Sequence, residues 1–251
     1  MRKISLVFIL VCSLLVAAVV TGCSKKDVKP EGAYDPEKYL TNADVLVSEK
    51  KYDEARKELL EVKNRDSQKK YGALAQLKIA DSYNKEGEPD LAIAEYRKFI
   101  ENYPDNQFAS YAQYQIAMAY YSQIESPDRG TGAAQSALIE FNRLKQLYPR
   151  NPYRDIVELR IEKAQNVIAD GDFMIGEFYF NKESYTAALG RLEGLLVKYP
   201  NYKKADTTML LIGKSYTALK MRDKAKETFD RLIQKYPSSD AAKEAAKLVS
   251  H

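Results

Sequence analysis

The 251-residue sequence contains a single His and only two Cys, at Cys12, Cys23 and His251. Their scarcity and their places exclude most enzyme chemistry. A Ser/His/Asp triad, a His general base or a His metal site needs an imidazole inside a folded core, and His251 stands beyond the last helical pattern. A Cys nucleophile or a thiolate zinc site needs thiols in the folded body, and none follows Cys23. Charge of one sign is also in short supply: 39 Lys and Arg oppose 35 Asp and Glu, and losing Arg2 and Lys3 with an N-terminal signal leaves 37 against 35. So balanced a chain has no electrostatic footprint for nucleic acid. Apolar residues at 45% and charged residues at 29% suit an ordinary globular protein. Acidic residues such as Glu86, Glu88, Asp90, Glu158 and Glu162 lie among Lys and Arg and read as solvated faces. No Asp-x-Asp-x-Asp loop offers a cation site. The expectation is no catalytic residue, no metal site and no cofactor.

Residues 1–22 combine a charged start (Arg2, Lys3), an apolar run from Ile4 to Val20 broken only by Ser5 and Ser13, and the small pair Thr21-Gly22. That is the layout of a secretory signal peptide. The run is shorter than the ~20 residues a membrane span prefers. Val20-Thr21-Gly22-Cys23 resembles the bacterial lipobox, which implies acylation of Cys23, cleavage before it, and a covalent lipid of three acyl chains. Each buried methylene adds about 0.8 kcal/mol, so three chains anchor firmly where one holds marginally. By the same resemblance Ser24 directs the lipoprotein to the outer membrane, on its periplasmic face. Residues 23–35, with Lys25, Lys26, Lys29, Pro30 and Gly32, read as a lipidated tether.

The remainder is repetitive. Tyr103-Pro104, Tyr148-Pro149, Tyr199-Pro200 and Tyr236-Pro237 recur at spacings of 45, 51 and 37. Each follows an amphipathic stretch such as Leu91 to Ile100, whose apolar residues return every three or four positions and mark a helix. Proline then stops it. Small and aromatic residues precede each Pro at fixed offsets, in the tetratricopeptide pattern: Ala80, Tyr83, Gly87, Ala92, Tyr96; Ala117, Tyr120, Ala137, Phe141, with about eight residues inserted between Tyr120 and Ala137; Gly176, Tyr179, Ala188, Leu192; Gly213, Tyr216, Ala225, Phe229. Ala43, Leu46, Tyr52, Ala55 and Leu59 form a first copy without the closing Pro. Small residues on one helix admit its partner, and the aromatic fills the gap between repeats. The fold expected is all-α: a tetratricopeptide-like helical-hairpin superhelix over 36–250, with five repeats at about 36–69, 73–106, 110–151, 152–202 and 206–239 and a capping helix at 239–250. Two departures stand out: an insertion at 126–132 containing Pro127 and two Gly, expected as a surface loop, and a stretch from Tyr153 to Phe180 with no breaker before Gly171, expected as one long helix.

The inner face of such an array is built mainly by the first helices. Inward positions offer Lys78 and Asp81 in the second repeat, and Tyr111, Tyr114, Gln115, Met118 and Tyr121 in the third. A Tyr and Met surface with a nearby Lys suits an extended peptide carrying aromatic side chains and a free carboxylate. The same tyrosines also suit packing between helices, and spacing does not separate the two roles. A chaperone-type carboxylate clamp needs Lys and Asn at inward positions of the first repeat, where Leu40 and Asp44 stand.

Taken together, the segments Ala92–Ile100 closing at Tyr103-Pro104, Ala117-Met118-Ala119-Tyr120-Tyr121, Gly176-Glu177-Phe178-Tyr179 and Ala187–Glu193, behind a lipobox, resemble the BamD family of tetratricopeptide lipoproteins. The resemblance implies a non-enzymatic outer-membrane lipoprotein of the β-barrel assembly complex. As partners it implies unfolded outer-membrane proteins at the N-terminal repeats and the barrel-forming subunit, through its periplasmic domains, at the C-terminal ones. Further lipoprotein subunits are left open. Arg191 falls where the family places a docking Arg, and a guanidinium suits a carboxylate through paired hydrogen bonds. Two rivals share the lipobox and repeats: a pilotin-like lipoprotein for secretin or type IV pilus assembly, and a division-associated periplasmic repeat protein. The second usually adds a coiled coil, and no heptad run stands between Cys23 and Tyr39. An enzyme on a repeat scaffold needs a catalytic domain for which the sequence leaves no residues.

Overall fold

The computed structural model describes residues 34–67 and 70–249. The chain divides into two compact units, Met1–Pro36 and Glu37–His251; of the first, only Tyr34, Asp35 and Pro36 are described. Cys23 and its lipobox therefore lie outside the described residues. Among the described residues there are eleven α-helices, one short 3-10 turn and no strand. In chain order the helices are α1 (Pro36–Ser48), α2 (Tyr52–Arg65), α3 (Gly72–Glu86), α4 (Pro89–Asn102), α5 (Ala109–Ser122), α6 (Gly132–Leu147), α7 (Arg154–Asn181), α8 (Tyr185–Lys198), α9 (Ala205–Ala218), α10 (Arg222–Lys235) and α11 (Asp240–Val249).

The four Tyr-Pro pairs act alike. Tyr103, Tyr148, Tyr199 and Tyr236 each leave helical geometry with φ between −136° and −128° and ψ between 55° and 74°. Each still donates its backbone N–H to the carbonyl four residues back, at 2.8 to 2.9 Å. The following Pro forbids helical geometry at the Tyr and has no N–H of its own, so the helix stops at the same point each time.

Turns between the helices of a pair also share one device. Lys50, Gly87, Glu183 and Lys220 take left-handed backbone, with φ of 62°, 91°, 58° and 59°. The next residue's N–H returns to a carbonyl five residues earlier: Lys51 to Leu46, Glu88 to Tyr83, Ser184 to Tyr179 and Met221 to Tyr216, at 2.8 to 3.0 Å. This is the Schellman closure, which satisfies carbonyls the helix end leaves open.

Buried side chains form a series of clusters, each shared by one helix pair and the first helix of the next. Leu40, Leu59 and Ile79 join α1, α2 and α3; Leu77, Tyr96 and Ile116 join α3, α4 and α5. Ala117, Phe141 and Val157 join α5, α6 and α7. Phe173, Leu192 and Ile212 join α7, α8 and α9, and Met209, Phe229 and Ala245 join α9, α10 and α11. The core is thus a chain of nearest-neighbour interfaces, the mark of a repeat protein.

Helix α7 has 28 residues, or about 42 Å at ~1.5 Å per residue. Its N-terminal half supplies Val157 and Ile161 to one cluster and its C-terminal half supplies Ile168 and Phe173 to the next. One continuous helix therefore ties the two clusters together. The insertion is a 3-10 turn at Pro127–Arg129. It is less free than a loop on the open surface: Thr131 lies so close to Gly171 of α7 that an added Cβ there meets its Cγ2 at 2.8 Å.

Candidate functional site

The sequence-derived groove residues fall into two groups. The first is an interlocked polar chain. Lys78 on α3 forms an ion pair with Asp44 on α1 at 2.5 Å. Asp81, one turn on, accepts the Tyr96 hydroxyl at 2.5 Å and the Tyr111 hydroxyl at 2.9 Å. Gln115 also hydrogen-bonds the Tyr111 hydroxyl. Tyr96 is completely buried and meets Tyr111 edge to face, with ring centroids 6.3 Å apart. Burial first, and the adjacent Asp81 carboxylate second, push both phenols far above their ordinary ionisation range. Each hydroxyl donates its hydrogen bond to Asp81, and the two hold three helices together.

The second group faces α7. Tyr114 stacks on Tyr153 with centroids 4.1 Å apart and planes 12° from parallel. Tyr121 meets buried Phe141 edge to face at 6.0 Å. Between the two tyrosines stands Arg160 of α7, its guanidinium carbon 5.9 Å from the Tyr114 ring centroid and 5.5 Å from that of Tyr121. Its Nη1 donates to Met118 Sδ at 3.2 Å. Tyr114, Met118 and Tyr121 therefore converge, whereas Lys78, Asp81, Tyr111 and Gln115 form a separate assembly toward α1.

Two recesses open beside Tyr121. One, of about 540 Å³, is lined by Ile156, Leu159, Arg160 and Lys163. The other, of about 460 Å³, is lined by Ile124, Lys163, Val167 and Lys203. Tyr121, Lys163 and Asn166 belong to both, so they form one trough along α7. Leu159 keeps 61% of its surface exposed, so the trough offers apolar contact flanked by cations.

Arg160, Lys163 and Tyr153 are not distinguishable as groove residues by repeat position alone, because the first two sit on the extra turns that lengthen α7 and Tyr153 caps its start. Asp170 on the same helix was missed as well. It is buried, and accepts Tyr202 Oη at 2.7 Å, Lys203 Nζ at 2.6 Å and Lys204 Nζ at 3.1 Å. Burial acts against its charge, but the hydrogen bonds from Lys203, Tyr202 and Lys204 outweigh it and hold the carboxyl below the usual range. Asp170 thereby pins the connection between α8 and α9, and Lys203 with it, beside the trough.

Arg191 lies elsewhere, exposed on α8 over Gly176, with no ion pair among the described residues. The C-terminal half of α7 also exposes Met174, Ile175 and Phe178, and Phe178 keeps 56% of its surface open. Among the described residues no cluster of His, Cys, Asp or Glu is placed to hold a metal ion, and no helix is long and apolar enough to cross a membrane.

Comparison with known proteins gives a family match over residues 33–228 to YfiO, described as outer membrane lipoprotein. The chain is 25% identical over 244 residues to the outer membrane protein assembly factor BamD of Caulobacter vibrioides, covering 96% of this chain and 80% of that protein. It is 27% identical over 240 residues to the BamD of Rickettsia prowazekii, covering 95% of each. Among solved structures it is similar to the TPR2AB domain of yeast Sti1, at 14% identity and a TM-score of 0.42, covering 86% of this chain and 97% of that one.

Proposed function

The chain belongs to the YfiO family of outer membrane lipoproteins, and we propose that it works, without catalysing a reaction, as a subunit of the complex that assembles β-barrel proteins into the outer membrane. The observation that carries this reading is the family match across α1 to α9 and into α10, together with relatives named as assembly factors that align over nearly the whole chain. A pilotin-like or division-associated role is not favoured by those relatives.

Within that role the geometry supports a division of labour. The trough beside Tyr114, Met118 and Tyr121 receives extended segments of unfolded barrel proteins, and the Arg191 face docks a periplasmic domain of the barrel-forming subunit. Lipid on Cys23 holds the molecule to the periplasmic face of the outer membrane. Continuous α7 lines the trough and packs beneath Arg191 at Gly176, so a partner on one surface is held at a fixed distance from a segment in the other.

A pull-down from detergent-solubilised envelopes tests the docking half. The wild-type chain is expected to recover a large barrel protein with repeated periplasmic domains. Arg191→Glu reverses the charge and should cut that recovery about tenfold, the equivalent of ~1.4 kcal/mol. Recovery of a secretin in its place, or equal recovery by the variant, contradicts the assignment.

A further inference from the structure

The trough contains a cation that the fold itself does not satisfy. Arg160 Nε is buried without a hydrogen-bond partner among the described residues, and Nη1 reaches only the Met118 thioether. A thioether is a weak acceptor, and a guanidinium carries five N–H donors. Tyr114 and Tyr121 attract the charge through their rings but accept no hydrogen bond from it. Lys163, one turn further along α7, also enters no ion pair among the described residues. Elsewhere half-buried cations are paired: Arg56 has Asp53 and Glu86, and Lys78 has Asp44. An under-bonded guanidinium costs stability; Nε is closed off from the trough, so the gain on binding comes at the outer Nη nitrogens, where a ligand can supply acceptors.

We propose that Arg160, assisted by Lys163, is a carboxylate receptor. Its ligand is an acidic side chain, Asp or Glu, flanked by large apolar residues within an extended segment of a partner polypeptide. This rests on the trough being a polypeptide site. The acid is internal to its chain because the trough continues past Arg160 both ways, toward Ile156 at one end and Val167 at the other. From 156 to 167 an α-helix advances about 16 Å, which matches about five extended residues. A chain ending at Arg160 fills only part of that length. Glu162 does not spoil the charge match: it lines both this trough and the neighbouring recess at Lys198 and Tyr199, so it stands on the ridge between them.

The test is fluorescence anisotropy with the full chain in detergent and labelled ten-residue peptides, acetylated and amidated at their ends, alternating Ser with Leu or Phe around one central Glu or Gln. A third peptide has the Gln centre and a free C-terminal carboxylate. The Glu peptide is expected to bind at least tenfold tighter than the Gln peptide. That preference should shrink below twofold in Arg160→Met and survive in part in Arg160→Lys, with unchanged circular dichroism and melting temperature as the check on folding. Equal binding of Glu and Gln peptides, or a preference that persists in Arg160→Met, overturns the proposal. A gain confined to the free-carboxylate peptide overturns it in favour of a chain terminus. If Tyr121→Ala weakens none of the peptides, or none binds, the trough is not a polypeptide site, and both readings fall together.

Discussion

Phe141→Ala should lower the unfolding free energy by about 4 kcal/mol, within the ~3 to 5 kcal/mol span for emptying a buried aromatic position. Phe141 is completely buried at the centre of the cluster shared by α5, α6 and α7, and it supports Tyr121 edge to face. Its loss leaves a cavity lined by Ala117, Leu144 and Val157. It also removes the wall that fixes Tyr121 at the trough, so peptide binding should fall with stability. Urea denaturation followed by circular dichroism measures the first effect. A loss under ~1 kcal/mol would mean that the cluster collapses without cost and that the tyrosine is not held by it.

The second large effect lies at Gly176. A Cβ added there meets the buried Leu192 side chain of α8 well inside van der Waals distance. Glycine in a helix interior ordinarily costs about 1 kcal/mol relative to Ala, so its presence mid-helix marks the closeness of the two backbones. Gly176→Val should destabilise by at least ~3 kcal/mol, the upper end for overpacking, because Leu192 has nowhere to move. Pairing it with Leu192→Ala should restore part of the loss, with a coupling above ~1 kcal/mol in a double-mutant cycle. Additive single effects would place the strain elsewhere. Arg191 sits over the same glycine, so the variant should also disturb the docking face.

These positions were legible in the sequence because they repeat. Gly176 with Leu192 and Gly213 with Phe229 hold the same offsets before a Tyr-Pro, Phe141 shares the offset of Leu192, and the regularity betrays a helix pair before any contact is seen. The length of α7 was legible from the missing breaker between Tyr153 and Gly171. Three features were not. Of the four left-handed turn residues only Gly87 announces itself, since Lys50, Glu183 and Lys220 carry an unfavourable backbone that the Schellman bonds hold in place. Lys78 and Asp81 look like groove residues by position, but their partners Asp44, Tyr96 and Tyr111 come from neighbouring helices. Arg160 meets Met118 across 42 residues. Only the docking of α7 against α5 half-buries that guanidinium, and no local pattern encodes it.

In the proposed role the chain serves the assembly of outer-membrane β-barrels through two binding surfaces on one repeat array. The most direct test of that role is quantitative proteomics of the outer membrane as the protein is depleted. Many unrelated β-barrel proteins are expected to decline together. A loss confined to pili, or a defect confined to division septa with barrel levels unchanged, would contradict it.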